Sequence, residues 1–196
     1  TAITGGQKLV VSSCGLTDKD TYFEIYTDCD GEPLLYSNDY CDLQSQGSLL
    51  TEAGTTYYIM WDVYSASGDY DWQLTLENPI PGEFCSIPHT ASAGINHSNH
   101  SVSEFQWFEY TAPGTGRIVI SAECNDVTEN AIMAVFDTCV PEYYLEDYII
   151  SYLNGFCGDS SHFSFACTNG SVYKIVSYLD DGGEFDWNLT FIPDVN

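Results

Sequence analysis

The chain has 196 residues, with 29 acidic side chains against four basic ones and a formal charge of −25. A hydrophobic share of 44% and an aromatic share of 15% exclude a disordered polyanion, so the charge belongs to a folded surface. That surface repels nucleic acid and anionic membranes, which need Lys and Arg opposite phosphate, and no apolar run is long enough to span a bilayer.

From the N-terminus, the segments KLVVSS, YFEIYT, PLLYS, GSLL, YYIMWDV and WQLTL alternate or run apolar over a few residues. Turn signals such as CDGEP and SASGD separate them, so each reads as a β-strand. The pattern then recurs. Thr1–Cys14 matches Thr111–Cys124, and Asp20–Cys29 matches Asn130–Cys139. Gly54–Val63 matches Gly170–Leu179, Gly68–Leu76 matches Gly183–Phe191, and Cys41 matches Cys157. The second set of strands is RIVISA, IMAVF, YIISYL, HFSFA, VYKIVSY and WNLTF, and one loop after Cys139 is longer than its counterpart after Cys29. No stretch has convincing helical periodicity. The expected fold is all-β: two tandem, jelly-roll-like antiparallel sandwiches, residues 1–78 and 79–196.

The copies are unequal. The second has a strand, Phe105–Tyr110, directly before its TAPGTG turn, and a lead-in from Gly82 that the first lacks. The first is expected to miss its N-terminal strand, which would come from upstream chain or from a neighbouring molecule. The closing IPDVN resembles the linker ENPIPG and suggests that more chain follows.

Eight cysteines with no CxxC pair and no zinc spacing indicate disulfides and an oxidising compartment. Alternating strand directions bring Cys14 to Cys41 and Cys124 to Cys157. The same tracing puts Cys85 near Cys29 and Cys167 near Cys139. The rival scheme joins Cys29 to Cys41 and Cys139 to Cys157. Four glycosylation sequons begin at Asn96, Asn99, Asn169 and Asn188.

The string running from SSCG through DTYFEIYTDCDGEPLLYSNDYC to SGDYDWQLTL resembles the PPC-like (bacterial pre-peptidase C-terminal-like) β-sandwich repeats. Those repeats occur in large secreted surface proteins of Bacteroidota. The resemblance implies an ancillary or structural module rather than a catalytic one. The family's Asn-Asp-Asp loop reads Asn38-Asp39-Tyr40 in the first copy and Asn154-Gly155-Phe156 in the second.

The strand tracing gathers Asp18, Asp20, Asp39, Asp42 and Asp69 at the Cys14 end, where converging carboxylates suit calcium; solvated Asx-turns are the plainer account. In the second copy the matching positions, Asn130, Asn154 and Asp181 with Asp126 and Asp159 nearby, carry fewer charges. His97 and His100 lie in a stretch that reads as a solvated loop, and His89 and His162 are isolated. No nucleophile elbow, zinc-protease, phosphate-loop or dinucleotide motif is present, so no enzyme is expected. Among the aromatics, alternate residues of Tyr57–Trp72 must be core. The remainder, and Tyr143, Tyr144 and Tyr148 of the longer loop, are candidate contact residues. Neighbouring repeats or protomers and surface glycans are the expected partners, at an extracellular or cell-surface location.

Overall fold

The computed structural model describes residues 1–64, 68–100, 105–123, 131–139, 149–154, 162–179 and 183–195. Among them every regular element is a strand, and the chain divides into two compact units, with the boundary between Ile80 and Pro81.

The first unit has six strands: β1 (Lys8–Ser12), β2 (Thr21–Tyr26), β3 (Leu35–Asn38), β4 (Gln46–Leu50), β5 (Tyr58–Val63) and β6 (Gln73–Glu77). They form two three-stranded antiparallel sheets, ordered β4-β1-β6 and β3-β2-β5. Period-two alternation turns Leu9 and Val11 of β1 toward Phe23 and Ile25 of β2, and these four residues form the buried centre. Leu35, Leu49, Ile59 and Trp61 close around them but remain partly exposed.

The second unit begins with β7 (His89–Thr90), β8 (Gly94–Asn99) and β9 (Phe105–Thr111). Six strands matching those of the first unit follow: β10 (Gly116–Glu123), β11 (Ala131–Phe136), β12 (Ser151–Asn154), β13 (His162–Cys167), β14 (Val172–Leu179) and β15 (Glu184–Pro193). The sheets are ordered β13-β10-β15-β8 and β12-β11-β14-β9-β7. Ile118 and Ile120 of one sheet face Met133, Val135 and Ile175 of the other in a larger core. Superposing the strand orders shows what the first unit lacks. Its β5 corresponds to β14 and its β6 to β15, yet among the described residues neither has the outer neighbour, β9 or β8, that its counterpart has.

Two local expectations need correction. NHSNHS is not a solvated loop: Gly94–Asn99 is a strand paired with β15, and His100 is buried, stacked on Phe185. Matching by sequence identity sets Leu9 against Val119, but the fold sets it against Ile118. Val11 opposes Leu74 as Ile120 opposes Leu189. The first unit's opening turn holds one more residue and its approach to the cysteine one fewer, which restores the inward face.

Candidate functional site: the open faces of the first unit

Trp72, Leu74 and Leu76 occupy the positions that Trp187, Leu189 and Phe191 hold in the second unit. The consequences differ sharply. Trp187 and Leu189 are 0% and 1% exposed, whereas Trp72, Leu74 and Leu76 are 43%, 47% and 52% exposed. Trp187 is covered by Phe108 of β9, edge to face at 5.1 Å, and its indole N–H donates to Ser98 of β8 at 3.1 Å. Trp72 packs against Trp61 at 5.5 Å, and among the described residues the buried Trp61 indole nitrogen has no hydrogen-bond partner. The first unit thus carries half of a core along its β5 and β6 edges.

The opposite face of sheet β3-β2-β5 is lined with tyrosine. Alternation along β2 sends Tyr22, Glu24 and Tyr26 outward, and β3 and β5 add Tyr36, Tyr58 and Met60. Tyr22 packs against Tyr64 at 4.8 Å and Tyr36 at 6.2 Å, and the Tyr36 and Tyr64 hydroxyls meet at 3.3 Å. The Tyr22 hydroxyl donates to Asp62 at 3.0 Å, and that of Tyr26 donates to Glu24. These bonds hold the phenols in the neutral form. Tyr26 is pushed up to about 12, first by its hydrogen bond to Glu24, and Tyr36 also to about 12, first by its bond to Tyr64. Tyr22 is raised too, chiefly by the Asp62 hydrogen bond. The outward tyrosines of β2 and β3 escape a sequence reading that weighs Tyr57–Trp72 and the longer loop's Tyr143, Tyr144 and Tyr148; their alternation with Phe23, Ile25 and Ser37 is the signal that finds them.

Asp18 and Asp69 line one open depression with Thr17, Tyr70 and Asp71. Asp39 and Asp42 take left-handed backbone conformations, with φ of 55° and 63°, which fits turn residues. Among the described residues, the buried oxygens Asp20 Oδ1 and Asn38 Oδ1 have no hydrogen-bond partner. Among the described residues, no group of three or more His, Cys, Asp or Glu is placed to hold a metal ion. His97 leans on Asp186 at 2.8 Å, and His100 lies 3.2 Å from the Ser177 hydroxyl.

The structure joins Cys14 to Cys41, and it joins Cys85 to Cys139. The second bond corrects the expected Cys29–Cys85 and Cys139–Cys167 pairs, and Cys29 and Cys167 are free. The physical reason is that the chain leaves the first sandwich before Cys85. Gly82, at φ 88°, donates to the Ile87 carbonyl and accepts from Trp107 N–H, clasping the lead-in onto β9. Cys85 consequently packs with Trp107, Phe136 and Val176 on the outer face of the second unit's larger sheet. Cys167 points into the facing sheet's core instead, where burial raises its thiol pKa. Cys41 pairs with Cys14, which also excludes the local Cys29–Cys41 scheme.

Of the sequon asparagines, Asn169 stands exposed in a turn. Asn96 bonds with Ser92, Asn99 donates to Glu184 at 2.6 Å, and Asn188 lies within β15. The expected Cys124–Cys157 bond, the carboxylates Asp126, Asp159 and Asp181, Asn130, and Tyr143, Tyr144 and Tyr148 lie outside the described residues.

No family model matches the chain, and no curated protein matches it. Among solved structures, the pre-peptidase C-terminal domain of a collagenase from Bacillus anthracis is similar, at 11% identity and a TM-score of 0.41. That match covers 53% of this chain and 94% of the other. PliG, a periplasmic inhibitor of g-type lysozyme from Aeromonas hydrophila, matches at 13% identity and a TM-score of 0.34. It covers 52% of this chain and 91% of its own. Neither likeness is close enough to assign a family.

Proposed function

We propose that this chain is a non-catalytic structural and adhesive segment of a longer extracellular cell-surface protein, one that contributes to a fibre or appendage. The observation that carries the reading is the outward tyrosine face of β2, β3 and β5. Five phenols (Tyr22, Tyr26, Tyr36, Tyr58 and Tyr64) and Met60 on one sheet face form an amphipathic contact surface, of the composition that recurs at interfaces. The motif resemblance to PPC-like repeats points the same way, as do two disulfides, which suit an oxidising exterior. Partners on this reading are neighbouring repeats, protomers of the same protein and surface glycans.

The test is adhesion and self-association of the intact chain beside a Tyr36→Ala/Tyr64→Ala variant. These rings are exposed, so the fold is expected to survive. At least a tenfold loss of surface binding or self-association supports the reading; unchanged behaviour removes the tyrosine face from it. A second reading, a carbohydrate-binding or ancillary module of a secreted hydrolase or peptidase, is favoured by the clustered rings of Tyr22, Tyr36 and Tyr64. A glycan array with and without calcium separates the two, since saturable binding to one glycan class supports the second. Calcium belongs to both readings only through the Asp18–Asp69 depression and the unpartnered Asp20 and Asn38 oxygens. A calcium titration without heat removes it.

A further inference from the structure

The outward face of sheet β3-β2-β5 has a regular layout. Strand register sets Tyr22 between Asn38 and Asp62, Glu24 between Tyr36 and Met60, and Tyr26 beside Tyr58. Tyr64 packs on Tyr22 at the end of the first row. Two carboxylates therefore stand among five phenols. Glu24 is central: Tyr22 and Tyr26 are its same-face neighbours along β2, and Tyr36 and Met60 flank it across the ladder. Asp62 lies diagonally from Glu24, beside Tyr22. Each carboxylate accepts one phenol hydroxyl, Glu24 from Tyr26 and Asp62 from Tyr22, and an ionised carboxylate has further acceptor sites. No lysine or arginine stands on these three strands. The chain's four basic residues are Lys8 on β1, Lys19 before β2, Arg117 on β10, and Lys174 on β14, where it pairs with Glu109.

Carboxylates set among aromatic rings have the chemistry of a cation site. Ammonium and guanidinium groups are drawn to ring faces, and a carboxylate within reach adds a charge-assisted hydrogen bond. A second copy of the chain brings another −25 and is opposed by charge. A neutral sugar leaves both carboxylates without a counter-charge. We propose that the tyrosine face binds an extended basic segment of a partner protein, one that carries Lys or Arg at alternate positions and sets one cation at Glu24 and the next at Asp62. The spacing argues for alternation. Diagonal positions on a sheet face are about 7–8 Å apart, and alternate side chains on one side of an extended chain are about 7 Å apart. Adjacent basic residues point to opposite sides, so they cannot engage both carboxylates. This inference gives the partner's chemistry, and it rests on the reading of this face as a contact surface.

The chain has two methionines, which supply a local readout. Met60 stands on the face opposite Glu24 at 45% exposure, whereas Met133 is fully buried in the second unit. The full 196-residue chain, carrying carbon-13 in its methionine methyls, is titrated by NMR with two end-capped peptides of equal charge, Gly-Arg-Ser-Arg-Gly and Gly-Arg-Arg-Ser-Gly. The expected result is a saturable shift of the Met60 signal, a still Met133 signal, and at least threefold tighter binding of the alternating peptide. Glu24→Gln and Asp62→Asn should each weaken that binding at least threefold, and Glu77→Gln, on the other sheet, should leave it unchanged. A Met60 signal that stays still, that responds equally to both peptides, or that responds equally in the native chain and both face variants overturns the proposal. Lost adhesion in Tyr36→Ala/Tyr64→Ala beside a still Met60 signal removes the basic partner and leaves the contact surface standing. A Met60 shift of the expected pattern beside unchanged adhesion supports the basic site and removes the adhesive role.

Discussion

The phenols of Tyr26 and Tyr36 titrate late because each is tied to a neighbour that the ionised form would repel or lose. Both groups are displaced upward to about 12 from an ordinary value near 10. A raised folded-state value means that the native chain holds its proton more tightly than the unfolded one. Their contribution to stability is whole below about pH 10 and is lost as pH rises through about 12. Titration by absorbance at 295 nm should show a set of tyrosines ionising late. Glu24→Ala should bring Tyr26 back toward 10 while leaving Tyr36 late. If the profile of the variant overlays that of the native chain, the Tyr26–Glu24 bond does not exist in solution.

β8 explains why part of the fold was hidden in the sequence. The six strands of each copy announce themselves by inward Val, Ile, Phe and Leu. β8 reverses the code: Ile95 is the exposed residue, whereas Ser98 and His100 turn inward. Ser98 earns that position by hydrogen bonding, to Ser177 at 2.9 Å and to the Trp187 indole. A strand whose buried face is satisfied by polar pairs has no hydrophobic period to read. The disulfides show the other limit. Cys14–Cys41 follows from strand direction inside one sandwich, but Cys85–Cys139 depends on the sandwich to which the lead-in belongs, which direction alone does not specify. The tyrosine face is half legible, because β5 reads as aromatic whereas Tyr22 and Tyr36 read as ordinary strand residues. Ser98→Ala should cost the second unit about 1–3 kcal/mol, because it strands the buried Trp187 N–H. Urea unfolding checks this. In combination with Ser177→Ala the loss should be less than the sum of the two single losses, since the hydroxyls share one bond.

Across the whole molecule the two units share one strand order, to which the second adds neighbours on both sheets. Among the described residues one has nine strands, with outer neighbours for β14 and β15; the other has six strands and leaves Trp72, Leu74 and Leu76 half-covered. An edge of this kind in isolation invites non-native pairing, which the high negative charge opposes at low salt. The Cys85–Cys139 bond has a further consequence when the chain is under load. It spans 54 residues, so at about 3.4 Å per residue it withholds about 180 Å of contour length from any pulling force applied at the chain ends. Strands β7 to β11 lie inside that closed loop. Pulled in an optical trap, the oxidised second unit should yield early and extend little, and reductant should lengthen its extension by about 180 Å. A chain of such units held in tension would stretch by an amount set by the redox state of its surroundings, with the clasped segment acting as reserve length.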